Sequence, residues 1–220
     1  MNTLKNKMQV EIWSDVMCPF CYIGKRKFEN ALAQFQNKEQ IEIIWKSFQL
    51  APDMQTDPSK SIHQYLAEHK GIDLQQAKQM NDQVTQLAAK IGLTYDFEKS
   101  IVANSFKAHQ FAHFAKVHGK QNEAEEKLFK AYFTDGKNID DINTLMQLGK
   151  ELALDSDSLK TALENNTYTN NVNEDIYEAQ QVGVRGVPFF VFDRKLAVSG
   201  AQESSVFLEA LEKTFNERKQ

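Results

Sequence analysis

The chain has 220 residues, of which 41% are hydrophobic and 25% charged, and its formal net charge is −4. This composition is typical of a globular domain and excludes collagen-like, disordered and disulfide-scaffold proteins. The acidic balance offers no basic surface for nucleic acid, and no stretch approaches the roughly 20 apolar residues of a membrane span, so neither partner is expected.

The N-terminal segment, residues 1–15, contains basic residues but neither the apolar core nor the small-residue cleavage site of a signal peptide. We therefore expect a cytoplasmic protein, and stable disulfides are rare in that compartment. The chain nevertheless contains two cysteines three positions apart, Cys18 and Cys21, and no third. This spacing indicates redox or metal chemistry rather than a structural disulfide.

The first elements along the chain form a strand–helix–strand unit. Strands are predicted over residues 9–14 and 41–48, which are rich in β-branched and aromatic residues. Between them a helix is predicted to begin at residues 18–21, because Pro19 suits a first helical turn and an apolar stripe follows at Phe28, Leu32 and Phe35. The two cysteines are thus placed at the first turn of a βαβ unit.

The middle of the chain changes to a helical period. Acidic residues suited to N-cap positions stand at Asp73, Asp141 and Asp155. Breaks are predicted at glycines 71, 92, 119 and 136 and at the pair 165–166. The predicted helices cover residues 60–70, 73–91, 97–118, 121–134, 141–153, 155–165 and 170–182.

The C-terminal segment returns to strands, predicted over residues 187–192 and 196–199, followed by a helix over 204–216. This sheet material is too little to form a domain alone. We therefore predict one α/β domain made from residues 1–52 and 184–220, interrupted by a helical insertion over 53–183.

The two cysteines have distinct predicted roles. A thiolate rather than a thiol attacks a disulfide, and a helix N-terminus stabilises negative charge on Cys18. Cys18 is therefore expected to attack and form a mixed disulfide, and Cys21 to resolve it. The alternatives are half of a zinc site and a pair of inert buried thiols.

The predicted strand over residues 187–192 begins with Val187-Pro188, and glycines 183 and 186 lie just before it. A cis bond at Pro188 would let the preceding backbone offer unpaired N–H and C=O groups to an extended peptide. The alternative is a proline on an edge strand, which the sequence pattern does not exclude.

Taken together, these motifs resemble the DsbA-type thioredoxin-fold oxidoreductases, and more closely their FrnE-like cytoplasmic branch. The matching segments are residues 14–24 (SDVMCPFCYIG), 104–109 (NSFKAH), 128–133 (LFKAYF), 186–192 (GVPFFVF) and 199–202 (SGAQ). The resemblance implies an α/β thioredoxin fold with a large all-helical insertion, and a cis Pro188 beside the cysteine pair.

The same resemblance implies a thiol–disulfide oxidoreductase or isomerase with Cys18 and Cys21 as its catalytic residues. Its partners would be protein or peptide thiols and disulfides. It would need no metal and no cofactor beyond the redox-active disulfide, with glutathione as a candidate reductant. The residues expected to contact substrate are Pro19, Phe20, Asn104, His109, Val187 and Pro188.

Two departures from the family limit this transfer. The dipeptide between the cysteines is Pro-Phe, whereas strongly oxidising periplasmic members resemble Cys-Pro-His-Cys, so we expect a less stabilised thiolate at Cys18. Related enzymes also use a buried acid to manage the proton of the resolving thiol. Glu11 and Asp15 are the candidates, although Glu11 is also compatible with a solvent-facing position and Asp15 with a helix cap.

Residues 104–109 are predicted to lie within a helix, with Ser105 and His109 on one face. The resemblance places this segment beside the active site, whereas the alternative for His109 is a histidine satisfied at a domain junction. His109 and His113 form a conceivable metal pair that lacks further ligands nearby in sequence.

Two other functions remain open. The kappa-type glutathione transferases and 2-hydroxychromene-2-carboxylate isomerases are similar in layout, but typically have serine at the position of Cys18. A zinc-binding or partner-binding module is the second alternative. The sequence does not determine the oligomeric state.

Overall fold

The computed structural model describes residues 7–218, which form two compact units. One unit consists of the N-terminal part of the chain up to Leu50 and the C-terminal part from Asn173 onward. The other unit is Ala51–Val172. The first six residues, on which the expectation about a signal peptide partly rests, lie outside the described residues. No helix within residues 7–218 is long and apolar enough to cross a membrane.

The secondary structure agrees with the predicted elements to within two residues at most ends. A short 3₁₀ turn, Lys38–Gln40, precedes the second strand. In chain order the elements are β1 (Met8–Ser14), α1 (Pro19–Gln34), β2 (Ile41–Ser47), β3 (Asp57–Ser61), α2 (Ile62–Lys70), α3 (Leu74–Ala89), β4 (Ile101–Val102), α4 (Phe106–Val117), α5 (Gln121–Phe133), α6 (Ile142–Glu151), α7 (Ser156–Glu164), α8 (Thr169–Val182), β5 (Phe189–Phe192), β6 (Leu196–Ser199) and α9 (Ser204–Glu217).

The unit formed by the chain ends contains a four-stranded sheet in the order β2-β1-β5-β6. β1 is parallel to β2 and antiparallel to β5, which pairs antiparallel with β6. On one face, the Phe28 ring of α1 contacts the rings of Phe190 and Phe192 in β5 and of Phe207 in α9. These helices therefore cover one side of the sheet.

The other face of the sheet packs against helix α8. Trp13 of β1 and Val191 of β5 form a buried cluster with Ala179 and Val184. Since side chains alternate along a strand, Glu11 shares this face with Trp13, whereas Ile12 and Ser14 point towards α1. This alternation decides which polar residues of β1 can approach the cysteines.

The sequence-based boundary of the insertion at residue 183 differs from the structure. Residues from Asn173 onward belong to the unit of the chain ends. The Asp175 carboxylate accepts the Ser47 N–H at 2.9 Å, and the Asp175 backbone carbonyl accepts the Trp13 indole N–H at 3.0 Å. Lys46 adds an ion pair to Asp175 at 3.0 Å. Contacts between residues so distant in sequence are invisible to helical periodicity.

The inserted unit is not all-helical, so that part of the prediction is wrong. It contains a two-stranded antiparallel sheet in which β3 pairs with β4. Strand β3 consists of Asp, Pro, Ser, Lys and Ser, and β4 has only two residues. Neither has the length or the apolar alternation from which a strand is predicted.

The helix predicted over residues 97–118 begins only at Phe106, so the placement of Asn104 inside a helix is also wrong. The Asn104 side chain accepts the Phe106 N–H at 2.8 Å and donates to the Met54 carbonyl at 2.8 Å. A short amide side chain that bonds the nearby backbone favours a turn over a helix. The predicted caps at Asp73, Asp141 and Asp155 are confirmed, each accepting an N–H of its helix.

Candidate active site

The two cysteines lie at the start of α1, directly after β1. Cys18 is the N-cap residue of the helix and Pro19 occupies the first turn, as the pattern predicted. The Cys18 N–H donates to the Asp15 carbonyl at 2.9 Å, and the Cys21 N–H donates to the Cys18 carbonyl at 3.0 Å. These bonds hold both side chains at the positive end of the helix dipole.

Both cysteines are free thiols, and they differ in exposure. Cys18 is 4% exposed and Cys21 is fully buried at 0%. The Cys18 side chain makes no capping bond to the helix; instead its sulfur lies 3.6 Å from the Val187 carbonyl oxygen. Cys18 is therefore the more accessible of the two cysteines.

The environment of Cys21 keeps its proton in place. Burial raises the pKa of the Cys21 thiol well above its ordinary value, and a hydrogen bond to Cys18 and negative charge on Cys18 raise that pKa further. The Ser14 hydroxyl and the Asp15 backbone N–H lower the same pKa, but they do not outweigh burial. Burial thus favours the protonated form of the Cys21 thiol.

This pKa has a consequence for stability. Because the folded protein holds the Cys21 proton more tightly than the unfolded chain, the stabilisation is complete below about pH 8.5, the ordinary thiol pKa. It is lost as the pH rises towards the raised folded-state pKa. We expect urea unfolding of the reduced protein to show a free energy of unfolding that falls above about pH 8.5. The Cys21→Ala variant is the control, and an equally steep fall in that variant would contradict the prediction.

Pro188 lies at the cysteines' end of the sheet, and the Val187–Pro188 peptide bond is cis. Strand β5 pairs with strands on both sides, so Pro188 precedes an interior strand and the edge-strand alternative is wrong. The Pro188 carbonyl accepts the Gly200 N–H at 2.8 Å. Val187 is half-buried, and its carbonyl faces the Cys18 sulfur.

Helix α1 approaches Pro188 closely at Gly24. A Cβ atom at Gly24 would lie 2.8 Å from the Pro188 Cγ, which is closer than two carbon atoms can pack. We expect Gly24→Ala to lower the free energy of unfolding by about 1–3 kcal/mol, the usual cost of overpacking. Denaturant unfolding measures this loss.

The matched control for this effect is Gly186→Ala, since a Cβ atom at Gly186 would meet nothing within 4 Å. Equal stability losses in the two variants would show that contact with Pro188 is not the cause.

The two candidate acids lie in different surroundings. Glu11 is buried rather than solvent-facing, and it pairs with Arg194 on the face of β1 that carries Trp13. The Asp15 carboxylate is fully buried and accepts the Leu50 N–H at 2.7 Å and the Met17 N–H at 3.3 Å. Asp15 therefore caps the loop before α1 rather than the helix, and it is the acid near the cysteines in this unit.

The other predicted contact residues are divided between the two units. Phe20 is 43% exposed and Pro19 is half-buried, both next to the cysteines. Asn104 and His109 belong to the inserted unit, where Asn104 holds a turn and His109 is buried in α4. Their roles in substrate binding stay predictions.

The zinc-site alternative requires a group of metal ligands that lie close together. Across residues 7–218, no group of three or more His, Cys, Asp or Glu side chains could hold a metal ion. His113 is buried, and its ring stacks on that of Tyr168, with the ring centroids 6.4 Å apart.

One polar residue of this site was missed by the sequence analysis. Ser14, the last residue of β1, is buried at 2% exposure on the face that points towards α1. The period-2 alternation of β1 was available as a signal, since it separates Ser14 from Glu11.

The comparisons with known proteins agree with this architecture. The family model described as "DSBA-like thioredoxin domain" matches residues 9–212. The uncharacterized protein YwbO of Bacillus subtilis strain 168 is 30% identical over 212 residues, which cover 93% of this chain and 96% of that protein.

Two solved structures extend the comparison. The probable DsbA oxidoreductase SCO1869 from Streptomyces coelicolor is 35% identical, with a TM-score of 0.89, covering 96% of this chain and 91% of that one. The cytosolic disulfide reductase DsbM from Pseudomonas aeruginosa, solved with GSH, is 14% identical with a TM-score of 0.66, covering 94% and 99%. The predicted thioredoxin fold is thereby confirmed.

Proposed function

Since the chain belongs to the DSBA-like thioredoxin domain family, we propose that it is a thiol–disulfide oxidoreductase that acts through Cys18 and Cys21. The observation that supports this proposal is the asymmetry of the pair. The more exposed thiol lies at a helix N-terminus beside the Val187 carbonyl, while burial and the neighbouring sulfur raise the pKa of the other.

The proposed reaction has two exchange steps. The Cys18 thiolate attacks one sulfur of a substrate disulfide, forming a mixed disulfide and releasing the other substrate sulfur as a thiolate. Cys21 then loses its proton and attacks the Cys18 sulfur. The Cys18–Cys21 disulfide forms and the second substrate thiolate leaves, so two electrons pass from the protein to the substrate. The reverse sequence oxidises a dithiol.

The backbone before Pro188 is the proposed substrate contact. The Val187 carbonyl lies 3.6 Å from the Cys18 sulfur, and within residues 7–218 the Val187 N–H has no hydrogen-bond partner. An extended peptide whose disulfide reaches Cys18 can pair with this backbone. The exposed Phe20 ring and the half-buried Pro19 offer apolar contact beside it.

Glutathione is the proposed small-molecule reductant, in a cytoplasmic setting. DsbM, which shares this fold, is a cytosolic disulfide reductase and was solved with GSH. A glutathione thiolate can attack the Cys18–Cys21 disulfide by the same exchange chemistry and return both thiols to the reduced form.

The paired thiols favour this redox reaction over a glutathione transferase or a 2-hydroxychromene-2-carboxylate isomerase. Those enzymes are expected to have serine at the position of Cys18 and need no second sulfur. Here the second sulfur lies close enough to Cys18 to form a hydrogen bond that raises its own pKa.

Catalysed exchange on a model protein tests the proposal. In glutathione buffers of graded potential, the protein is expected to accelerate both the reduction of insulin disulfides and the oxidation of a reduced disulfide protein, depending on the buffer. A control protein with both cysteines replaced by serine should give the uncatalysed rate. Equal rates for the two proteins would refute the proposed activity.

A further inference from the structure

The end of strand β1 places a buried hydroxyl beside the resolving cysteine. Among the described residues, the Ser14 hydroxyl oxygen is buried and makes no hydrogen bond within the usual geometric limits. Two backbone carbonyls beside it already accept hydrogen bonds, because the Ser14 carbonyl accepts the Phe48 N–H at 3.0 Å and the Asp15 carbonyl accepts the Cys18 N–H at 2.9 Å. A buried, unpaired hydroxyl costs stability, so its retention needs a reason.

The charge state of Cys21 supplies that reason. In the reduced form Cys21 keeps its proton and bonds to Cys18, and a neutral thiol sulfur is a weak acceptor for a hydroxyl. When Cys21 ionises, the same sulfur becomes an anion inside the protein, where a hydrogen bond from a nearby donor to that anion is stronger. Ser14 is close enough to lower the pKa of this thiol, and the Asp15 N–H acts on it in the same direction.

We propose that the Ser14 hydroxyl donates a hydrogen bond to the Cys21 sulfur when that sulfur carries negative charge, and thereby stabilises the resolving thiolate. Ser14 is then the side-chain donor, and the Asp15 N–H the backbone donor, of an anion site at the carboxyl end of β1. The site opposes the two effects that disfavour this anion, which are burial and the charge on Cys18.

The groups facing Cys21 are few, so the effect of Ser14 can be isolated. The ionisable group that acts on Cys21 is Cys18, the N-cap residue of α1, and the hydrogen-bond donors are the Ser14 hydroxyl and the Asp15 N–H. The Asp15 carboxylate accepts the Leu50 N–H instead. The Val187–Pro188 segment contributes no ionisable side chain. Replacing Cys18 by serine removes the other sulfur and leaves Cys21 as the chain's only thiol.

The direct test is an ultraviolet titration of the Cys21 thiolate in the Cys18→Ser protein, with and without Ser14→Ala. Loss of one hydrogen bond to an anion should make Cys21 about a tenfold weaker acid. Ser47→Ala is the matched control, because Ser47 pairs with Ser14 in the sheet and is similarly buried at 4% exposure. An unchanged titration in the Ser14→Ala protein would overturn the proposal.

A second pair of variants separates hydrogen bonding from packing. Threonine and valine at position 14 have nearly the same shape, and threonine alone keeps the hydroxyl. We expect Ser14→Thr to titrate like the parent Cys18→Ser protein and Ser14→Val to be the weaker acid. Equal titrations in this pair would contradict the proposal, even if Ser14→Ala fails to fold.

The role in exchange rests on the proposed function and is tested separately, on the chain with both cysteines. Ser14→Ala should slow resolution of a mixed disulfide roughly threefold at neutral pH, because a tenfold smaller thiolate fraction is partly offset by greater nucleophilicity. The rate at which Cys18 attacks, measured in Cys21→Ser protein, should not change. If the parent forms no mixed disulfide, the proposed function fails. If the Ser14→Ala protein resolves the mixed disulfide at the parent rate, only this inference fails.

Discussion

Replacement of Cys18 by serine is expected to reduce catalysed disulfide exchange to the rate observed without protein. The attacking sulfur is lost in this variant, and Cys21 cannot replace it, since Cys21 is fully buried and burial raises the pKa of its thiol. Cys21→Ser should behave differently, because it keeps the attacking thiol. That variant is expected to accumulate a stable mixed disulfide between Cys18 and its substrate.

Mass spectrometry of the two variants after incubation with a disulfide peptide distinguishes these outcomes. The adduct should appear on Cys21→Ser and be absent from Cys18→Ser. An adduct on the Cys18→Ser variant, or residual turnover near the parent rate, would reverse or remove the assigned roles.

Loss of the Phe28 side chain is expected to be the most destabilising single change in the unit that carries the cysteines. Phe28 is 1% exposed, and its ring contacts Phe190, Phe192 and Phe207. These contacts attach α1, and therefore both cysteines, to the sheet. Phe28→Ala should lower the free energy of unfolding by about 3–5 kcal/mol.

The same helix provides a matched control in Phe20, which has the same side chain at 43% exposure. Phe20→Ala is expected to change the free energy of unfolding by less than about 0.5 kcal/mol, as surface substitutions usually do. Guanidinium unfolding of both variants measures the difference. Comparable losses would mean that Phe28 does not anchor the helix.

The parts of the fold that were predictable depend on local signals. Asp73, Asp141 and Asp155 cap the helices that follow them because the cap and its N–H partner are three residues apart. Proline likewise favours the first turn of a helix, and Pro19 directly follows the N-cap residue Cys18. The βαβ unit and its cysteines follow from the same kind of short-range pattern.

The parts that were missed depend on contacts between distant residues. Strand β3 has no apolar alternation and exists through its pairing with β4. Helix α8 joins the sheet unit because Asp175 binds the Ser47 N–H and the Trp13 side chain packs near Ala179. A local sequence pattern does not predict contacts between residues that are distant in sequence.

Within the site, the cysteine pair was predictable from spacing, whereas the position of Pro188 was not. The residue pattern left an edge-strand proline and a peptide-binding turn equally open. The sheet order excludes the edge strand, and the peptide contact stays a prediction. The alternation of β1 separates the roles of its polar residues, since Glu11 faces Arg194 while Ser14 faces α1.

The most direct test of the account is a redox titration of the complete chain in glutathione buffers, followed by mass analysis of the trapped thiols. We predict a single reversible two-electron transition that disappears when either Cys18 or Cys21 is replaced. A midpoint potential of about −270 mV would make the protein a thioredoxin-like reductant, and a midpoint potential of about −120 mV would make it a strong oxidant. Two thiols that stay reduced, or that titrate independently across this range, would contradict the account.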